Sequence, residues 1–96
     1  MDGPLSLTDR VAPAPDVVFR ALGDEAVVVS LDGGLYFGLD EVGARIWALL
    51  EHHDLGGVAR ALTAEYDVSR ARAEEDVITF TEGLVARHLV VRVHGG

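Results

Sequence analysis

The hydrophobic period of this sequence changes at Asp40, and that change constrains the fold more than any other feature. Before it, Leu35, Phe37 and Leu39 recur at a spacing of two, as in a strand with one buried face. After it, the spacing becomes that of one stripe of an α-helix, with apolar residues at Val42, Ile46, Leu49 and Leu50. The carboxylate of Asp40 can accept hydrogen bonds from the free N–H groups of a first helical turn. The stretch therefore predicts a strand that leads directly into a helix capped by Asp40.

Two β-prone segments precede this strand. Residues 17–22 form the first, and the Gly-Asp pair at 23–24 marks a turn after it. Residues 26–31 form the second, which is apolar enough to be covered on both faces. The Asp-Gly-Gly sequence at 32–34 favours a hairpin, because glycine tolerates the positive φ of a tight turn. Together with residues 35–39, these segments predict a three-stranded antiparallel β-meander.

Helical patterns fill most of the remaining sequence. After the first helix, at about residues 41–51, the patterns predict a second at 55–66 and a third at 70–87. A short strand is predicted at 89–93. A β-meander followed by three α-helices is an α+β arrangement that looks like a winged helix-turn-helix.

The amino-terminal residues 1–15 contain all three prolines and little periodic pattern. We expect a flexible tail there, with an edge strand as the alternative. The folded domain is then expected at residues 16–94. With 96 residues in total, the sequence has room for one small domain.

The charge balance limits the classes of partner. Eight basic residues stand against 16 acidic ones, for a net charge of −8. Such a field repels nucleic acid and anionic membrane surfaces, whereas a basic peptide would be attracted. The sequence has no cysteine, no recognisable secretion signal and no stretch long enough to cross a bilayer, so a cytoplasmic location is expected.

A cluster of potentially catalytic residues occurs at 51–54, with the sequence Glu-His-His-Asp. Its two histidines are adjacent, so they point in different directions and lack the i, i+4 spacing of a helix-borne metal site. His88 and His94 lie elsewhere in the sequence, which also has no phosphate-binding glycine loop and no nucleophile elbow. We therefore predict a protein that is not an enzyme, with no catalytic residue, no metal site and no cofactor.

The run Tyr-Phe-Gly-Leu-Asp-Glu-Val-Gly-Ala-Arg-Ile-Trp at 36–47 resembles the signature of PqqD-like proteins. These are the peptide-recognition modules of pathways that modify ribosomally synthesised peptides (RiPPs). The sequence is most similar to the small standalone leader-binding proteins of lasso peptide biosynthesis. The resemblance extends over about residues 17–91. The sequence departs from the family pattern at Asp40, where asparagine is commoner, at Thr81, where an aliphatic residue is usual, and at the Arg-His pair 87–88.

The resemblance implies that the leader segment of a precursor peptide adds as a strand to the third strand of the meander and packs on the third helix. That strand comes last in the meander, so its edge should be free to pair. The implied contact residues are Val29, Leu31, Leu35, Tyr36, Phe37, Gly38, Arg72, Glu75, Asp76, Thr79, Phe80 and Gly83. Tyr36 and Phe37 are rival candidates for the face that meets the helix. Ordinary core packing is the alternative role for Phe37 and Phe80.

The resemblance further implies that the protein presents a basic leader peptide to a separate leader peptidase, and a cyclase could receive it as well. In that role Glu75 and Asp76 would pair with lysine or arginine of the leader; otherwise they belong to a solvated helix face. The alternative function is a winged-helix transcriptional regulator that binds DNA. The third helix disfavours it, because three arginines there stand against four acids, Glu74, Glu75, Asp76 and Glu82.

Overall fold

A computed structural model describes residues 4–93 of the chain. The elements are β1 (Arg10–Pro13), β2 (Val17–Leu22), β3 (Glu25–Ser30), β4 (Leu35–Leu39), α1 (Glu41–Leu50), α2 (Leu55–Glu65), α3 (Arg70–Ala86) and β5 (Val90–Val93). The predicted α+β fold, a three-stranded antiparallel meander followed by three helices, is confirmed. Residues 1–3 of the expected tail and His94, the expected end of the domain, lie outside the described residues.

The meander has the strand order β2-β3-β4, so β4 lies at an edge of the sheet. Val28, in the middle of β3, is opposite Phe19 of β2 on one side and Phe37 of β4 on the other. Val28 is fully buried, because the helices cover this face of the sheet. Side chains alternate along a strand, so the opposite face carries Val29 and its neighbour Tyr36.

The sequence predicted that residues 26–31 are covered on both faces, and this prediction is wrong. Within residues 4–93, the strand they form, β3, is covered on its inner face alone. Val27 and Val29 are half-buried on the outer face, where no helix packs within the described part of the chain. Leu31 lies beyond the end of β3, in the turn to β4, and is 67% exposed. The turn itself uses Gly34, which has a φ of +67° and donates its N–H to the Ser30 carbonyl at 2.9 Å.

Each helix begins at a side-chain cap. The carboxylate of Asp40 accepts from the Gly43 N–H at 2.7 Å, which confirms the cap expected from the sequence. Asp54 accepts from Gly57 in the same way at 2.7 Å, and the Ser69 hydroxyl accepts from Arg72 at 3.2 Å. Because these bonds satisfy otherwise free N–H groups, they determine where the three helices start.

The helix α3 ends in a Schellman motif. The Leu89 N–H reaches back to the Leu84 carbonyl at 3.0 Å, and the His88 N–H to the Val85 carbonyl at 3.0 Å. His88 has a φ of +59°, in the left-handed region where glycine is the usual residue. The departure from the family pattern at 87–88 therefore leaves the helix end intact, at the cost of a strained histidine.

The core lies between the inner face of the meander and the three helices. It contains Leu39, Ile46, Leu49, Leu50, Leu55, Val58, Ala59, Leu62, Ala73, Val77 and Leu84, all buried. Val42, expected in the buried stripe of α1, is instead 40% exposed. The first turn of α1 borders an open cavity next to α3, and Val42 lines that cavity.

The amino-terminal segment packs on the rest of the domain. β1 pairs antiparallel with β5, with Val11 opposite Arg92. Leu5 and Val11 are buried in the core. The start of α2 donates backbone hydrogen bonds to this segment, with Gly56 N–H to Leu7 O at 2.7 Å. Strand β1 thus belongs to a second, two-stranded sheet and does not extend the meander.

Candidate functional site

Strand β4 lies beside one side of α3, and Phe37 joins the two through contacts with Phe80 and Arg87. On the helix side, one wall consists of Asp76, Phe80 and Gly83 of α3 together with Arg87, the residue that caps the end of α3; these positions recur at helical spacing next to the core stripe. We call the surface between this wall and β4 the β4–α3 groove. Among residues 4–93, β4 pairs with β3 alone, so the N–H and C=O groups on its outer edge remain available.

Phe37 is the residue of β4 that faces the helix. Its ring centroid lies 6.5 Å from that of Phe80, with the two planes tilted by 48°. Tyr36 lies on the outer face of the sheet and is 75% exposed. Of the two rival candidates, Phe37 therefore enters the groove, and Tyr36 could touch a bound peptide only from the outer face.

The other predicted residues of the meander divide in the same way. Leu35 is exposed on the inner face, two residues before Phe37, at one end of the groove. Val29 and Gly38 lie on the outer face, and Leu31 lies in the exposed turn. The structure brings Phe37 together with α3. Leu35 shares the face of Phe37, whereas Val29, Tyr36 and Gly38 lie on the opposite face of the sheet and Leu31 lies in the turn.

An open cavity of about 600 Å³ forms the deeper end of the groove, where α1 begins. The predicted residues that line it are Glu75, Asp76, Thr79 and Phe80. The start of α1 contributes Asp40, Val42, Gly43 and Ile46. Three carboxylates thus surround an apolar floor, an arrangement suited to a side chain with an apolar stem and a cationic head.

The carboxylates of this acidic end differ in their bonding. Asp40 uses one oxygen to cap α1. Asp76 forms an ion pair with Arg72, whose Nε lies 3.3 Å away. Arg72, also a predicted site residue, is 67% exposed in its side chain and lies one turn before Asp76. Glu75 makes no hydrogen bond or ion pair within residues 4–93, so its charge is available to a ligand.

Gly43 is a site residue that sequence reasoning missed. A Cβ at this position would lie 3.1 Å from Cε1 of Phe80 and 3.2 Å from the capping oxygen of Asp40. The absence of a side chain therefore allows the Phe80 ring to rest against the first turn of α1. The available signal was a glycine inside a first helical turn, where helix propensity alone disfavours it.

Arg87 is the second missed residue, at the opposite end of the groove. Its guanidinium carbon lies 4.7 Å from the centroid of the Phe37 ring, within range of a cation–π interaction. Its Nη1 donates to the Gly83 carbonyl at 3.1 Å. The signal was its spacing, because Arg87 follows Phe80 on the same stripe of α3.

Gly83, one of the implied contact residues, lies next to the side chain of Arg87. A mid-helix glycine is tolerated where another backbone approaches closely. Here a Cβ at Gly83 would lie 3.3 Å from the Nη1 of Arg87, and apart from the local helix backbone it would meet no other heavy atom of residues 4–93 within 4 Å. Gly83 thus provides the space in which the arginine side chain folds back along α3.

A second cleft, of about 310 Å³, lies between α1 and the two sheets. Its walls include Phe19 and Trp47, whose rings stack with centroids 6.0 Å apart. Among the described residues that line it, Glu51 is the one with a charge.

The Glu-His-His-Asp sequence at 51–54 contains an exposed contact of 3.7 Å between His52 and Glu51. Within residues 4–93 no group of three or more histidine, aspartate or glutamate residues could hold a metal ion.

No helix within the described residues is both long enough and apolar enough to cross a membrane. The sequence profile of the family described as "Coenzyme PQQ synthesis protein D (PqqD)" matches residues 25–90. None of the curated protein sequences matches the chain.

Two solved structures are similar to the fold described above. One is "TbiB1 in Complex with the TbiA(beta) Leader Peptide", which is 39% identical, with a TM-score of 0.77 over 81% of this chain and 92% of that one. The other is "Lasso peptide synthetase B1 complexed with the leader peptide", which is 26% identical, with a TM-score of 0.78 over 85% and 98%. Since the family profile covers most of the chain, from β3 to the start of β5, the chain belongs to the PqqD family.

Proposed function

We propose that this protein binds the leader segment of a ribosomally synthesised precursor peptide of the lasso type, as a strand added to β4 in the β4–α3 groove. The observation that carries the proposal is the free edge of β4 facing the stripe of α3 that ends at Arg87. The two similar structures, both described as complexes with a leader peptide, support it.

The geometry explains how such a peptide would be held. Main-chain groups of an added strand would pair with the outer edge of β4, which supplies affinity without regard to sequence. Alternate side chains of the strand would point toward α3 and away from it. Those that point inward would meet Phe37 and Phe80, and a cationic one at the deeper end would meet Glu75.

We further propose that binding is this protein's own task and that a separate enzyme, a leader peptidase, acts on the bound peptide. A cyclase could receive it as well. A peptide added to β4 would keep its outer edge open to solvent, so a second protein could reach it. The two similar structures, each described as a complex with a leader peptide, support the binding part of this proposal.

DNA binding receives no comparable support. Two of the arginines of α3 are engaged with acids one turn away, Arg70 with Glu74 at 2.9 Å and Arg72 with Asp76 at 3.3 Å. A phosphate would have to displace these carboxylates and approach a protein with a net charge of −8.

A fluorescence-anisotropy titration tests the proposal. The probes are the labelled leader half of the precursor encoded beside this gene, a scrambled version of it, and a short DNA duplex. We expect sub-micromolar binding of the leader alone, with amide shifts concentrated in β4 and α3. Binding of the duplex without binding of the leader would instead identify a regulator.

A further inference from the structure

The arginines of α3 differ in their partners. Arg70 and Arg72 each pair with a carboxylate one turn further along the helix, at 2.9 and 3.3 Å. Arg87 forms no ion pair with any carboxylate in residues 4–93; its recorded contacts are a peptide carbonyl and an aromatic ring. Arg87 is therefore an arginine of the groove wall whose positive charge is not paired with a carboxylate among the described residues.

The guanidinium group of Arg87 retains most of its hydrogen-bonding capacity. The group has five N–H donors in a planar fork. One nitrogen donates to the Gly83 carbonyl, and the Phe37 ring lies under the guanidinium carbon. A ring stacked on the group does not use its N–H donors, so those that remain could bind a carboxylate in the bidentate manner typical of arginine.

Arg87 also lies far from the acidic end of the groove. Its guanidinium is bonded to the carbonyl of Gly83, which follows Asp76 by two helical turns, or about 10 Å along α3 at about 1.5 Å per residue. A strand of five residues such as β4 spans about 17 Å. A peptide laid along β4 would therefore meet Asp40 and Glu75 near one end and Arg87 further along, beside Phe37.

We infer that Arg87 determines specificity by binding an aspartate or glutamate side chain of the peptide held in the β4–α3 groove. This inference rests on the function proposed above and deepens it. The overall negative charge disfavours acidic peptides in general. A carboxylate would therefore be accepted at one position of the peptide, beside Arg87, and a basic residue would be preferred at the opposite end.

The experiment uses the full chain and the leader of the precursor encoded beside this gene. A panel of labelled leader peptides replaces each acidic residue singly by its amide, Asp by Asn or Glu by Gln. Each peptide is titrated by anisotropy against the wild-type protein, Arg87→Gln and Arg87→Lys. We expect one peptide substitution to weaken binding to the wild type about five- to tenfold, the effect of losing one charge-assisted contact at an accessible site.

The same peptide substitution should have no effect on the affinity of Arg87→Gln, since the partner of the carboxylate is already absent. Arg87→Lys should retain part of the discrimination, because lysine keeps the charge and loses the planar fork. Arg60→Gln is the matched control, an exposed residue of α2 with the same change in net charge. It should preserve the full difference between the two peptides.

Two results would overturn the inference alone. One is a wild-type protein that binds every amide peptide as well as the parent leader. The other is a loss on peptide substitution that persists unchanged in Arg87→Gln. If no leader binds the wild-type protein at all, the proposed function fails together with the inference.

Discussion

Phe37 of β4 and Phe80 of α3 face each other across the groove, with ring centroids 6.5 Å apart. Both rings are half-buried and pack against the core from its rim. Core packing and peptide recognition, which the sequence left as alternatives, are compatible here, since each ring has one side against the core and the other accessible. Substitutions at the groove should therefore change both stability and binding, and controls are needed to separate the two effects.

Phe80→Ala should lower the affinity for a leader peptide at least tenfold, because it removes the apolar floor between β4 and the cavity. It should also lower the free energy of unfolding by about 1–2 kcal/mol, less than for a fully buried ring. Anisotropy titration and urea denaturation measure the two effects. Phe19→Ala is the matched control, a half-exposed ring stacked on Trp47 away from the groove. It should lose similar stability and keep its affinity; equal losses of affinity in both variants would argue against the groove.

Tyr36→Ala should leave the free energy of unfolding within about 0.5 kcal/mol of the wild type, because the side chain is 75% exposed on the outer face. Its affinity for the leader should change much less than that of Phe37→Ala, since an added strand pairs with the main chain of β4 and Phe37 faces α3. Titrating both variants with the same labelled leader makes the comparison. A larger loss for Tyr36→Ala would place the peptide on the outer face.

Thr81→Val should raise the free energy of unfolding by about 1 kcal/mol. Thr81 is fully buried, and its hydroxyl oxygen has no hydrogen-bond partner among the described residues. Valine has a similar shape and lacks the hydroxyl. Thr63→Val is the control. The Thr63 hydroxyl donates to the Arg60 carbonyl at 2.7 Å, so its removal should not raise the free energy of unfolding. Urea denaturation measures the free energy of unfolding of both variants. An equal change in the two would show that the buried, unpaired hydroxyl of Thr81 is not the source of the effect.

His88→Gly should stabilise the protein by about 0.5–1 kcal/mol. His88 has a φ of +59°, which costs a residue with a Cβ about 1 kcal/mol, whereas glycine adopts it freely. The hydrogen bonds of the Schellman motif involve backbone atoms and should survive the substitution. His88→Ala keeps the Cβ and should show no gain. Thermal unfolding of the three proteins distinguishes backbone strain from an effect of the imidazole.

Glu65→Gln should remove a stabilisation that depends on pH. Glu65 accepts two hydrogen bonds of 2.7 Å from Arg45, and these bonds lower the pKa of the carboxyl and raise that of the guanidinium. A lowered pKa in the folded state means that the stabilisation is complete above the ordinary glutamate value of about 4.3 and is lost as the pH falls through the lower value. The guanidinium stays charged throughout this range.

The stability difference between wild type and Glu65→Gln should therefore be present at neutral pH and shrink below about pH 4. Urea denaturation across this range measures it. Arg45→Gln should remove the same pH-dependent increment, and the double variant should remove no more. Since both side chains are partly exposed, added salt should reduce the difference. A difference that is constant with pH would rule out the ion pair as its source.

The sequence by itself determined the order and approximate bounds of the meander, the three helices and the last strand, whereas β1 was only an alternative to a flexible tail. The change of period at Asp40, the hairpin signal before Leu35 and the caps of the helices are local features, formed among residues within a few positions of one another. For the same reason the family signature at 36–47 could be recognised without any knowledge of tertiary contacts.

The tertiary structure alone decided which face of β4 meets α3, that β1 pairs with β5, and that Arg87 lies over Phe37. A period of two separates the faces of a strand but does not say which one the helices cover. That choice depends on packing between segments far apart in the sequence, as it does for the exposure of Val42 at the edge of the cavity. This packing decides which residues line the groove. Arg87 belongs to the site because α3 packs against the sheet and brings its guanidinium over Phe37.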